Sequence, residues 1–150
     1  MPDPDTAHPG FLDNYTLFLM AVASAEVSRS FHDIAAEQGL SVAEWRVLAC
    51  LHDLGRASVS ELARLALLEQ SRLTHLITRI EARGLVKRHR GTKNRRSVLV
   101  TLTEDGAKLA ADLVEQAKAH EQSAVIDQLG QADTAKLHAL LRKLIGHPPV

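Results

Sequence analysis

Two Ser-x-x-Glu segments, Ser41-Val42-Ala43-Glu44 and Ser58-Val59-Ser60-Glu61, limit more than any other feature what this chain can fold into. Each is a capping box. The serine hydroxyl accepts from the backbone N–H three residues on while the glutamate reaches back, so each fixes the start of a helix. The first helix runs to Leu54, with Trp45, Leu48 and Leu51 on its inner face, and Gly55 stops it. The second is short and carries Leu62, Ala63 and Leu65, while Ala57 to Val59 between them suits a very short strand.

Periodicity assigns the rest. Glu69 to Arg83 reads as an amphipathic helix with Leu73, Leu76, Ile77 and Ile80 inward and Gln70, Ser71, Arg72, Thr74, His75, Thr78 and Arg79 outward. Gly84 ends it, and the period then changes from helical spacing to alternation. Leu85 to Arg90 pairs with Ser97 to Leu102, joined by a basic tip, Gly91-Thr92-Lys93-Asn94-Arg95-Arg96. Upstream, Phe11, Tyr15, Phe18, Leu19, Val22, Val27, Phe31, Ile34 and Ala35 predict one helix over 11–38. Downstream, a helix opens at Thr103-Glu104-Asp105 with a stripe of Leu109, Leu113, Ala117, Ala124 and Leu129, broken by Gly130. A last helix covers Ala132 to Ile145. The first and last helices carry more apolar surface than the central module can cover, which predicts a homodimer.

Net charge is zero, but it is segregated along the chain. Between Arg56 and Arg96, eleven Lys and Arg stand against three Glu, a local charge of +8, flanked by −6 over residues 1–55 and −2 over 97–150. Clustered cations are what phosphate contacts require. Short helices followed by a hairpin with a cationic tip form a winged helix-turn-helix, with one helix in the major groove and the hairpin on the backbone or minor groove. The expected fold is mainly α with a small β-hairpin wing (α+β). It comprises a disordered tail over 1–10, a DNA-binding part over 40–103 and dimerisation helices over 11–38 and 104–146.

Other classes gain little from the composition. The N-terminus has no basic stretch leading into an apolar run, and Tyr15 to Ala25 falls short of the ~20 residues needed to span a bilayer, so no membrane association and a cytoplasmic setting are expected. Cys50, the single cysteine, lies in a Leu/Val run and reads as core packing. The histidines show no zinc spacing, although Cys50 with His52 and His120 with Glu121 leave a metal-sensing regulator as an alternative. With no glycine-rich phosphate loop or nucleophile elbow, the chain is expected not to be an enzyme and to need no cofactor. A winged-helix protein-interaction module is the other alternative; it would present an apolar centre, where this chain has a polar, basic face.

Several stretches together resemble the MarR family of bacterial regulators. They are Trp45-Arg46-Val47-Leu48, Ser60-Glu61-Leu62-Ala63, the run from Leu73 to Arg88 containing Glu81-Ala82-Arg83-Gly84-Leu85-Val86, and the exit Arg95-Arg96-Ser97-Val98-Leu99-Val100-Thr101-Leu102-Thr103. The resemblance runs from about Phe11 to Ile145. It implies a dimer joined by its first and last helices, bound to a palindromic double-stranded DNA operator, often repressing and often released by a small aromatic or phenolic effector. Two departures stand out. The family's wing usually carries Asp-x-Arg, and here the stretch is Asn94-Arg95-Arg96, so the arginine is kept without its acidic brace. Leu17 stands where the peroxide-sensing branch has its reactive cysteine, which argues against that chemistry.

The candidate sites follow. DNA contacts are expected from Gln70, Ser71, Arg72, Thr74, His75, Thr78 and Arg79 on the recognition helix and from Arg90, Lys93, Asn94, Arg95 and Arg96 on the wing. Arg72 is expected to touch a base edge and Arg96 to enter the minor groove. Trp45, as an aromatic wall, and Arg46, as a carboxylate partner, are expected to line an effector pocket beside the dimer helices.

Overall fold

A computed structural model describes residues 10–90 and 98–146. The order of elements is α1 (Thr16–Glu37), α2 (Val42–Leu54), β1 (Arg56–Ser58), α3 (Val59–Leu65), α4 (Gln70–Ala82), β2 (Val86–Arg90), β3 (Val98–Leu102), α5 (Glu104–Glu121), a π-helical turn (Gln122–Ile126), α6 (Asp127–Leu129) and α7 (Gln131–Ile145).

The capping signals place α2 and α3 where the sequence put them. At α2 both arms of the box form: the Glu44 N–H donates to Ser41 Oγ at 3.3 Å and the Ser41 N–H donates to Glu44 Oε2 at 2.7 Å. At α3 only the serine arm is made among the described residues, with the Glu61 N–H donating to Ser58 Oγ at 3.2 Å. The strands form one antiparallel sheet in the order β1-β3-β2, with Ala57 opposite Val100 and Val86 opposite Leu102. Against it and within the helical layer lie Val47, Leu48, Leu51, Leu62, Leu73, Ile77, Ile80, Val86, Val100 and Leu113, all buried. This single core, spanning the end of α1 to α5, holds α4 by its apolar face and leaves its polar face outside.

Three differences from the sequence reading have local causes. The helix expected over 11–38 is broken at Tyr15, whose backbone is extended, after a 3-10 turn at Phe11–Asn14. Asp13 holds that turn by accepting from the Gly10 N–H at 2.6 Å, and Phe11 stacks on Tyr15 with ring centroids 4.8 Å apart. Side-chain capping by Asp and an aromatic pair here outcompete continued helix. Secondly, the helix opened at Thr103 reaches Leu129, but one π turn interrupts it, which advances its faces for α6. Thirdly, the very short strand is Arg56–Ser58, because Ser58 is needed as the cap of α3.

The terminal helices are the least covered part of the molecule. Phe11, Leu12, Tyr15, Leu17, Phe18, Leu19, Met20 and Val22 are exposed, as are Leu137, Leu140, Leu144 and Ile145, while Phe31, Ala35 and Thr134 are the buried residues of α1 and α7. Among the described residues, no helix is long and apolar enough to cross a membrane.

Candidate nucleic-acid interface

The recognition surface is built from α4 outward. Leu73, Leu76, Ile77 and Ile80 anchor the helix in the core, and Gln70, Ser71, Arg72, Thr74, His75, Thr78 and Arg79 all lie exposed on the opposite side. The Thr74 hydroxyl donates to the Gln70 carbonyl at 2.9 Å and the Thr78 hydroxyl to the Thr74 carbonyl at 3.1 Å. Their protons are thus spent on the helix itself, and what they turn outward is oxygen lone pairs and methyl groups.

Two buttresses fix α4 against its neighbours. Glu81 near its end accepts from the Arg88 backbone N–H at 3.0 Å and from Arg88 Nε at 2.8 Å, clamping the helix to β2. These bonds hold the Glu81 carboxyl below the usual carboxylate range. At the other buttress, Arg79 Nε donates to Glu44 Oε1 at 2.9 Å, and Arg83 donates to the Gly39 carbonyl at 2.9 Å. Arg79 therefore has a structural partner as well as an exposed side chain, 61% accessible.

A cavity of about 640 Å³ lies between the start of α2, the α3–α4 turn and α4, and Arg46, Arg72, His75 and Arg79 line it together with Leu67 and Leu68. Leu67 makes the corner of this turn with φ 58°, in the left-handed region, and its side chain is exposed. A second cavity of about 290 Å³, between Ser58, Ser60, Gln70, Thr74 and Arg88, separates the start of α3 from the root of the wing.

The structure separates the two residues expected to share an effector pocket. Arg46 opens on the cationic side beside α4, whereas Trp45 turns the other way, edge-on to Phe31 with centroids 5.1 Å apart. Neighbouring helical positions point about 100° apart, so two elements on opposite sides of α2 claim one residue each. Trp45 lines instead a cavity of about 260 Å³ with Ser28, Phe31, Ala117, His120 and Glu121, and His120 Nε2 lies 2.9 Å from the Ser30 hydroxyl. This cavity shares Ser24, Val27 and Val125 with an almost wholly apolar one of about 650 Å³ between α1, α6 and α7.

Arg90 is exposed at the end of β2; Lys93, Asn94, Arg95 and Arg96 lie outside the described residues. Sequence reasoning missed Glu44 as part of the site and Arg46 as part of the cationic face. The signal for Glu44 was present, since a capping glutamate faces two arginines spaced i, i+4 on another helix, but the facing itself is tertiary. Among the described residues, no group of three His, Cys, Asp or Glu side chains is placed to hold a metal ion.

An arrangement of this kind is shared with known proteins. The family model described as MarR family matches residues 40–98. The crystal structure of the MarR family transcriptional regulator SPO1453 from Silicibacter pomeroyi is 44% identical, superposes with a TM-score of 0.82, and the match covers 91% of this chain and 97% of that one. The chain belongs to the MarR family. A further relative, the organic hydroperoxide resistance transcriptional regulator of Bacillus subtilis, is 29% identical over 69% of this chain and 71% of its own. The structure describing regulation of DNA binding of Bordetella bronchiseptica BpsR by 6-hydroxynicotinic acid is 29% identical, with a TM-score of 0.75, covering 86% of this chain and 97% of that one. The mainly α fold with a small β wing expected from the sequence agrees with the MarR family structure of SPO1453.

Proposed function

We propose that this MarR-family chain is a homodimeric, sequence-specific DNA-binding transcription regulator that recognises a palindromic operator and answers to a small aromatic effector. The observation that carries this reading is α4: a helix held in the core by four buried aliphatic side chains that presents an unbroken polar and cationic face. Residues 40–103 form the DNA-binding part, and 11–38 with 104–146 bring two copies together, covering the exposed apolar side chains of α1 and α7. In this reading α4 enters the major groove, with Arg72 on a base edge and Gln70, Ser71, Thr74, His75 and Thr78 dividing base and phosphate contacts. Arg90, Lys93, Asn94, Arg95 and Arg96 serve the wing, with Arg96 in the minor groove. The two-fold dimer axis sets half-sites about one helical turn apart, roughly 34–36 Å. The work of such a regulator is done in the cytoplasm, and no catalytic step is assigned to it.

The effector site belongs on the Trp45 side of α2. An aromatic ring fits against Trp45 and Phe31, and a polar substituent would meet His120 and Ser28, with Arg46 left to the DNA face. Peroxide is a poor signal for this chain through Cys50. Burial, and then Asp53 nearby, push the Cys50 thiol up, so little of the reactive thiolate is present at neutral pH.

The deciding experiment measures binding to duplex DNA from the region upstream of its own coding sequence, and to the same duplex scrambled, over a salt series. Preference for the native duplex, with affinity that falls as salt rises, supports the regulator; equal, weak binding to both supports a protein-interaction module.

A further inference from the structure

We propose that Glu44 is a positioning residue for DNA recognition: its buried carboxylate holds Arg79 in one orientation, so that α4 meets DNA with a fixed cation and not a free one. This rests on the reading of α4 as the DNA-contacting helix and adds to it a residue of α2 that touches no DNA.

Capping does not account for Glu44. Glu61 occupies the equivalent third position of α3 and lies exposed, whereas Glu44 is 3% exposed and joins the α2 cap to two arginines at the end of α4. One of its oxygens accepts from the Ser41 N–H at 2.7 Å, completing the α2 cap. The other accepts from Arg79 Nε at 2.9 Å and lies 3.7 Å from Arg83 Nη1. Arg83 in turn donates to the Gly39 carbonyl at 2.9 Å, so the turn that ends α1 joins the same cluster.

A buried carboxylate persists as an anion only when it is paired. Burial by itself would raise the Glu44 carboxyl, but the Ser41 N–H and hydroxyl and the Arg79 guanidinium outweigh it and hold the group below the usual carboxylate range. The charge is therefore present under the conditions in which DNA is bound. Because the bond uses Nε and the Arg79 side chain is 61% exposed, the terminal nitrogens remain at the surface, aimed but not consumed. A free arginine gains affinity on any duplex by turning to the nearest phosphate, whereas a tethered one rewards only DNA docked in the right register, with its ordering cost already met in the fold.

The test is Glu44→Gln in the full chain. Glutamine retains an acceptor for the Ser41 N–H but offers Arg79 no charge. Binding is measured over a salt series on the native upstream duplex and on its scrambled form. The proposal expects affinity for scrambled DNA to rise several-fold, the salt slope to steepen by about 0.9, and the preference for the native duplex to fall about tenfold as one well-aimed arginine is lost. In an Arg79→Gln background the same substitution should change preference by less than twofold and leave the salt slope unchanged, since the effect passes through Arg79. Equal losses on both duplexes, unchanged preference, or an undiminished effect in the Arg79→Gln background would overturn it. If Glu44→Gln does not fold, Arg79→Lys decides, because lysine keeps the charge but lacks the Nε donor: lost preference with a steeper salt slope supports the proposal, and wild-type preference or an unchanged slope refutes it. A wild-type protein with no preference at any salt would refute instead the DNA-binding reading beneath it.

Discussion

Replacing Gly106 with alanine should damage the joint between the wing and α5. Gly106 lies in the first turn of α5, buried, and its N–H donates to Thr103 Oγ1 at 3.0 Å. A methyl group built on it would overlap the Leu85 carbonyl, a backbone group that cannot swing aside. That carbonyl also accepts from the Thr103 N–H at 3.0 Å, and the Thr103 hydroxyl donates to the Gly84 carbonyl at 2.6 Å, so the overlap falls on a stapled corner. Forcing the methyl in costs ~1–3 kcal/mol as overpacking, and breaking the Leu85 bond adds about 1 kcal/mol. The helix preference of alanine over glycine returns about 1 kcal/mol. The net loss is about 2 kcal/mol, which for a chain of this length lowers the melting temperature by roughly 4–8 °C. Thermal unfolding at one fixed protein concentration reads it, since dimerisation makes the midpoint concentration-dependent. A Gly106→Ala protein as stable as wild type would show that the α5 start does not abut Leu85, and the packing of the wing root described above would be wrong.

At the corner between α3 and α4, Leu67→Gly should relieve the left-handed leucine. The relief of ~1–2 kcal/mol less a glycine cost of ~0.5–1 kcal/mol leaves a protein up to about 1.5 kcal/mol more stable in urea titrations, and a loss above about 1 kcal/mol would mean that the Leu67 side chain packs. Phe18→Glu should turn a dimer into a monomer in sedimentation, because it places a charge among the exposed apolar residues of α1; an unchanged dimer would put the interface elsewhere. The folded-state pKa of Glu44 is depressed, so its contribution to stability is present above the ordinary glutamate value and fades as pH falls through the lower folded value. The stability gap between wild type and Glu44→Gln should accordingly be widest near neutrality and close in acid, and a gap that widened below about pH 4 would contradict the ion pair.

What was legible in the sequence is what short-range rules dictate. Ser41 and Ser58 start their helices because caps act over three residues, and the inward set of α4, Leu73, Leu76, Ile77 and Ile80, follows from helical spacing alone. Alternation likewise puts Val98, Val100 and Leu102 on one face of β3, where Val100 is fully buried and Val98, at the start of the strand, is exposed. Features that depend on what lies opposite were not legible. Trp45 and Arg46 are neighbours in sequence but face different cavities, because α1 and α5 lie on one side of α2 and α4 on the other. Arg79 reads as one more outward cation until Glu44, 35 residues earlier, is seen to hold it. The π turn at Gln122–Ile126 leaves no mark in a stripe of small and aliphatic residues that either geometry can bury.

The claim that α4 reads DNA sequence is tested most directly by Arg72→Ala, since Arg72 is exposed near the start of that helix and lines the cationic cavity beside it. Affinity is measured on the native upstream duplex and on scrambled DNA at one salt concentration. A base contact predicts a loss of ~1–3 kcal/mol on the native duplex and a clearly smaller loss on the scrambled one. Equal losses on the two duplexes, or none on either, would contradict the assignment of α4 as the reading helix through Arg72.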